Sequence, residues 1–116
     1  MPLNFPSDRE LRKHTRRHGV EFGLNETDLA AYLSLARAFC EGTCPVGTDE
    51  CIRMRDNFVD RFLEVSAEFA VMMPGRTVII TYHILHPFGT PGIPVERTHE
   101  FATNREYYEA DCLCAG

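Results

Sequence analysis

The chain has 116 residues, 44% of them hydrophobic, which suits one compact domain over residues 1–116 and leaves no room for a second core. No run approaches the roughly eighteen apolar residues of a membrane span, and "MPLNFPSDRE" has neither the basic flank nor the apolar core of a signal peptide. A soluble chain without a secretion signal of the usual kind is therefore expected, working in the cytoplasm. The formal net charge of −5 argues against indiscriminate nucleic-acid binding, so any such activity has to come from a local patch.

The first predicted element carries such a patch. Arg9, Arg12, Lys13, Arg16 and Arg17 fall within nine residues, in a chain with eleven arginines and a single lysine. Its cations are thus mostly of the planar, bidentate kind that matches phosphate. Ser7 with Glu10 reads as a capping box, Pro6 precedes it and Gly19 supplies a left-handed stop, which predicts a helix over Asp8 to His18. Only Leu11 on it is plainly apolar, so it is expected to touch the body through one side and offer the rest to solvent or ligand.

A second helix is predicted in "ETDLAAYLSLARAFCEG", where Leu29, Tyr32, Leu33, Ala36 and Cys40 recur at three- and four-residue spacing, Thr27 caps and Gly42 ends it. "CEGTCPVGTDEC" reads as a loop. "CIRMRD", "FVDRFLEVS", "EFAVMM" and "TVIITYHIL" read as strands, with "MPGR" a turn between the last two. In the last strand Thr77, Ile79, Thr81, His83 and Leu85 fall on one face, and Val78, Ile80, Tyr82, Ile84 and His86 on the other. Apolar residues on both faces predict a central strand, and Thr81 and His83 are neighbours on one of them. "PFGTPGIP" is a loop, and "TNREYYEADC" a terminal helical turn or a last strand. The fold class expected is α+β, two N-terminal helices packed on an antiparallel sheet of about four strands.

His14 and His18 are four residues apart and share a helix face, with Arg17 beside them and Lys13 on the same border. Two imidazoles next to a guanidinium can cleave a phosphodiester without a metal. One takes the proton of the ribose 2′-hydroxyl, the other protonates the leaving 5′-oxygen, and the cation holds the phosphate charge. The plain alternative is a pair of solvated polar side chains. The intervening "TRR" brings no general-base glutamate, so this is not the zinc-protease motif. His83, His86 and His99 are metal-ligand or structural candidates, with His83 favoured by its neighbour Thr81.

Five cysteines make an odd count, and with no signal peptide they are expected to be reduced. Zinc held by Cys40, Cys44 or Cys51 with Cys112 and Cys114 is the competing reading, but the spacings are not those of a zinc knuckle. Tyr107 and Tyr108 could stack on bases, or pack in the core or on the surface.

"LRKHTRRHGVEFG" resembles the Leu-x-x-His-x-x-x-His-Gly-x-Glu-Phe-Gly segment that opens a group of bacterial ribonuclease toxin domains, within the barnase, EndoU, colicin and RelE-like assemblage found at the C-termini of polymorphic and contact-dependent toxins. Leu11, His14, His18, Gly19, Glu21, Phe22 and Gly23 match, and "AEFAVMMPGRTVIITYHIL" is similar to the later strand pattern. The resemblance implies helical histidines facing a curved antiparallel sheet and metal-independent RNA cleavage between them, with no cofactor. It makes His18 the leading acid/base, His14 its partner, Arg17 a basic position and Thr81 a phosphate-contacting hydroxyl. His83 joins the catalytic candidates, and Lys13, Arg16, Arg17 and Tyr82 the substrate-binding ones. The expected substrate is RNA, with tRNA a candidate, and the expected partner an acidic immunity or antitoxin protein covering Arg9 to Arg17. The alternatives are a non-catalytic nucleic-acid-binding or protein-interaction module and a Cys/His zinc domain.

Overall fold

The structure, a computed structural model, describes residues 3–41 and 48–113. In chain order it contains α1 (Asp8–His18), a 3-10 turn (Gly19–Phe22), α2 (Leu29–Glu41), β1 (Thr48–Ile52), β2 (Val59–Leu63), β3 (Glu68–Met72), β4 (Ile79–Ile84), a second 3-10 turn (Val95–Arg97) and α3 (Asn104–Leu113). The class is α+β, and the strands form one antiparallel sheet in the order β1-β2-β3-β4.

α1 begins as its sequence predicts, with Ser7 Oγ accepting from the Glu10 N–H at 3.2 Å. Its buried stripe is Leu11, Thr15 and His18, so a threonine and a histidine supply the packing that further leucines would give elsewhere. Thr15 is fully buried because its hydroxyl donates to the Leu11 carbonyl at 2.8 Å and leaves no polar group unpaired. The left-handed stop lies later than expected. Gly19 is helical at φ −56, and Gly23, at φ 77, ends the 3-10 turn. Gly19 answers a close approach instead, since a Cβ there would stand 3.3 Å from the Asn25 carbonyl. α2 differs in its cap: the Thr27 hydroxyl donates to Asn25 Oδ1 at 2.7 Å, and the Asp28 carbonyl accepts the first helical bond, from Tyr32. The stop expected at Gly42 lies outside the described residues.

β1 starts at Thr48, inside the segment read as a loop, while most of "CIRMRD" forms the turn to β2, closed by Arg53 N–H on the Phe58 carbonyl at 2.8 Å. β4 lies at the sheet edge rather than in its centre. It is apolar on both faces because helices cover both. One cluster packs Leu11, Tyr32, Ala36 and Phe39 against Val59, Ala70, Met72, Ile79 and Tyr82. The other packs Phe62, Phe69, Val71 and Leu85 against Tyr108 and Cys112 of α3. "TNREYYEADC" is thus helical, its apolar side taken up by the second sheet face. A bulge between Val71 and Met72 breaks the two-residue alternation: Ile79 joins Tyr82 in the first cluster, and Ile80 packs with the second.

The expectation of reduced thiols fails for one pair. Cys51 of β1 and Cys112 of α3 form a disulfide with Cα atoms 6.1 Å apart. Sequence spacing cannot reveal a contact between positions 61 residues apart. Cys40 is a buried free thiol, pushed up to about 12 by burial. Cys44 and Cys114 lie outside the described residues. No helix is long and apolar enough to cross a membrane among the described residues.

Candidate functional site

The free edge of β4 explains where the site forms. An edge strand leaves backbone N–H groups unpaired, and the Ile84 N–H is taken by Glu21 Oε1 at 2.8 Å, as the Ile79 N–H is by the Asn4 carbonyl at 2.9 Å. The other Glu21 oxygen, Oε2, lies 3.1 Å from His18 Nδ1. One carboxylate on the 3-10 turn therefore closes the sheet edge and holds the last histidine of α1. Burial works to raise the Glu21 pKa, but the hydrogen bonds from His18 and from the Ile84 amide outweigh it and keep the carboxyl below its usual range.

Glu21 fixes the His18 tautomer. In the neutral ring, with Nδ1–H donated to the carboxylate, the lone pair is on Nε2. His18 lies nearly parallel to His83 with ring centroids 4.8 Å apart, and to His14 at 6.0 Å. His14 stacks in turn on Phe5 at 5.2 Å, and His83 tilts against Phe69 at 5.7 Å. The predicted Thr81 and His83 pairing is present, with Oγ1 and Nδ1 3.0 Å apart.

Three imidazoles this close cannot all be charged. Burial, then the neighbouring His18, lowers His14 to about 4 and His83 to about 3. Both are neutral near pH 7. His14 Nδ1 is buried with no hydrogen-bond partner among the described residues.

These rings line a cleft of about 440 Å³ between α1, the end of β4, the 96–99 segment and α3. Lys13 and Arg17 stand on the α1 wall, and His86, Arg97, His99 and Tyr107 on the far side, so all five histidines of the chain line one cleft. His99 is a structural member. Its Nδ1 accepts from the Phe101 N–H at 3.2 Å and its Nε2 lies 2.7 Å from Asn104 Oδ1, so both nitrogens are committed and the ring braces the loop against α3. Arg97 crosses the cleft to donate to the Arg17 carbonyl at 2.8 Å, leaving the Arg17 guanidinium without a partner among the described residues.

Of the sequence-derived candidates, His14, His18, His83, Lys13 and Arg17 come together here, with Thr81 behind His83. Arg16 does not line this cleft and instead borders a shallow groove with Arg12, Glu26, Thr27 and Leu29. Tyr82 is corrected outright. It is 1% exposed, stacks on Phe22 at 4.7 Å and donates its hydroxyl to Glu68 Oε2 at 2.5 Å, because its side chain points to the α2 face of the sheet. Tyr107 lines the cleft, while Tyr108 is buried against Phe62. Sequence reasoning missed the structural role of Glu21. The signal was its place three residues after His18, one helical turn away.

No protein-family model matches the chain, and no curated protein or solved structure matches it either.

Proposed function

We propose that the chain is a metal-independent endoribonuclease of the toxin type, cutting RNA, with tRNA the first candidate, by attack of the ribose 2′-hydroxyl on its own phosphate. The observation that supports this is the stacked row His14, His18 and His83, with Glu21 on the middle ring and the unpaired cations Lys13 and Arg17 on the same wall. His18 Nε2 takes the 2′-hydroxyl proton while the Glu21 carboxylate faces the positive charge this creates. The 2′-oxygen attacks phosphorus, Lys13 and Arg17 hold the negative charge, and the 5′-oxygen leaves with a proton from His14. The products are a 2′,3′-cyclic phosphate and a 5′-hydroxyl.

His14 is neutral in the free protein through burial, His18 and the nearby cations Lys13 and Arg17. A phosphodiester between Lys13 and Arg17 offsets those charges and adds its own, so the substrate raises the proton affinity of its own acid. Thr81 changes role in this reading. Its hydroxyl engages His83, so it positions a ring that stacks on His18 rather than touching phosphate.

The test is total tRNA incubated with the protein in EDTA, followed by analysis of the fragment ends. Cyclic-phosphate ends are expected, with a rate about a hundredfold lower or worse in His18→Ala. RNA that is bound by the wild-type protein but left intact would put the non-catalytic binding module in its place, as would a folded His18→Ala protein that cleaves at the full rate.

A further inference from the structure

A second group of reactive side chains lies away from the histidine cleft, where α3 meets the β1–β2 hairpin. Asp60 of β2 is fully buried, and its carboxyl accepts no hydrogen bond from an N–H or hydroxyl donor among the described residues; it shares one only with the carboxyl of Asp111. Its nearest cation, Arg53 Nη1, stands at 3.7 Å and is itself bonded to Asp111 Oδ2 at 3.1 Å and, through Nη2, to Asp56 Oδ2 at 2.6 Å. A buried carboxyl that receives no N–H donor keeps a lone pair that a cation can take in place of its proton.

Its neighbours add soft donor atoms. The two sulfurs of Cys51 and Cys112 and a carboxyl oxygen of Asp60 all lie within 4.8 Å of one another. Around a tetrahedral zinc, ligand atoms stand about 3.3–3.8 Å apart. We propose that Cys51, Cys112 and Asp60 form a redox-gated site for zinc or a divalent cation of similar softness, open only when the disulfide is reduced.

A thiol reductant transfers two electrons and two protons to the disulfide and is itself oxidised to a disulfide. The two new thiols and the Asp60 carboxyl lose their protons to solvent as the cation binds, and water fills the fourth position. Asp111 is not the fourth ligand, because Arg53 and Arg55 already occupy its oxygens at 3.1 and 2.8 Å. Charge favours the exchange. Arg53 and Arg55 offset Asp56 and Asp111, so among the described residues the nearest cations are already engaged by carboxylates and the metal supplies the charge the two thiolates need. Cys40 does not compete, since its buried thiol lies in the first core cluster. The junction of β1 and α3 is thereby held by a covalent bond under oxidising conditions and by a metal under reducing ones.

The test uses protein with Cys44 and Cys114 changed to serine, so that other thiols do not contribute. It is reduced with a phosphine under nitrogen, desalted, and titrated with zinc and, for a thiolate charge-transfer band, with cobalt. The expected result is one zinc per chain in the reduced protein, none in the oxidised protein, and affinity lowered about tenfold or more in Asp60→Asn. Should Asp60→Asn fail to fold, Cys51→Ser and Cys112→Ser must each abolish the cobalt band. A reduced, folded protein that takes up no zinc overturns the proposal, and so does undiminished affinity in folded Asp60→Asn or a cobalt band retained in either cysteine variant.

Discussion

The arginines of this chain live in two different worlds. Around β1, β2 and α3, Arg53, Arg61, Arg76 and Arg105 each reach carboxylates at 3.1 Å or less: Arg53 on Asp56 and Asp111, Arg61 and Arg76 on Glu50, Arg105 on Asp49 and Glu64. On α1, Arg9, Arg12, Arg16 and Arg17, with Lys13, make no ion pair among the described residues. The same side chain is mortar at one end and an unspent charge at the other. An overall charge of −5 therefore conceals a local surplus, because the downstream acids are occupied with downstream arginines.

That contrast can be broken by experiment. The largest effect is expected from acid. His14 and His83 are held near 4 and 3, below the unfolded value of 6.5, chiefly by burial. A depressed histidine leaves the unfolded chain binding the extra proton, so its stabilising contribution is complete above pH 6.5 and shrinks as the pH falls toward 4. Thermal melts should show a loss of roughly 3 kcal/mol or more across that window. The His14→Gln, His83→Gln double variant should flatten the profile, and an equally steep one would remove the two rings as its cause.

Next in size is Arg53→Ala, which strips Asp111 and Asp56 of a shared partner and removes the cation 3.7 Å from Asp60. Loss of about 3 kcal/mol is expected in denaturant unfolding, with RNA cleavage per folded molecule unchanged. Arg17→Ala should invert that result, with unfolding free energy within about 0.5 kcal/mol of wild type and cleavage about tenfold slower. Matching stability losses in the two variants would show that α1 is mortar as well.

How much of this was readable in advance depended on distance along the chain. The start of α1 was, since Ser7 and Glu10 are three residues apart, and so was the contact of Thr81 with His83, since a strand fixes side-chain direction at spacing two. His14 and His18 shared a face for the same kind of reason. What failed was settled by partners far away. Tyr82 looked available until the packing of Phe22 and Phe39 filled the face it occupies. β4 looked central because it is apolar on both faces, and it is so because α2 and α3 cover the two sides of an edge strand. Cys51 and Cys112 gave no sign of pairing, and α3 could not be told from a strand without the sheet face it covers.

The Glu21 carboxylate also sets a clock. Its hold on β4 spans 63 residues, and the same group orients His18. A chain still being made past His18 carries both helical histidines and their acidic neighbour, yet the cleft wall that β4 supplies, His83 included, is missing until Ile84 has been added and its strand docked. If the cleft cuts RNA as proposed, cleavage waits until most of the polypeptide exists, and the nascent chain passes through an interval without that activity.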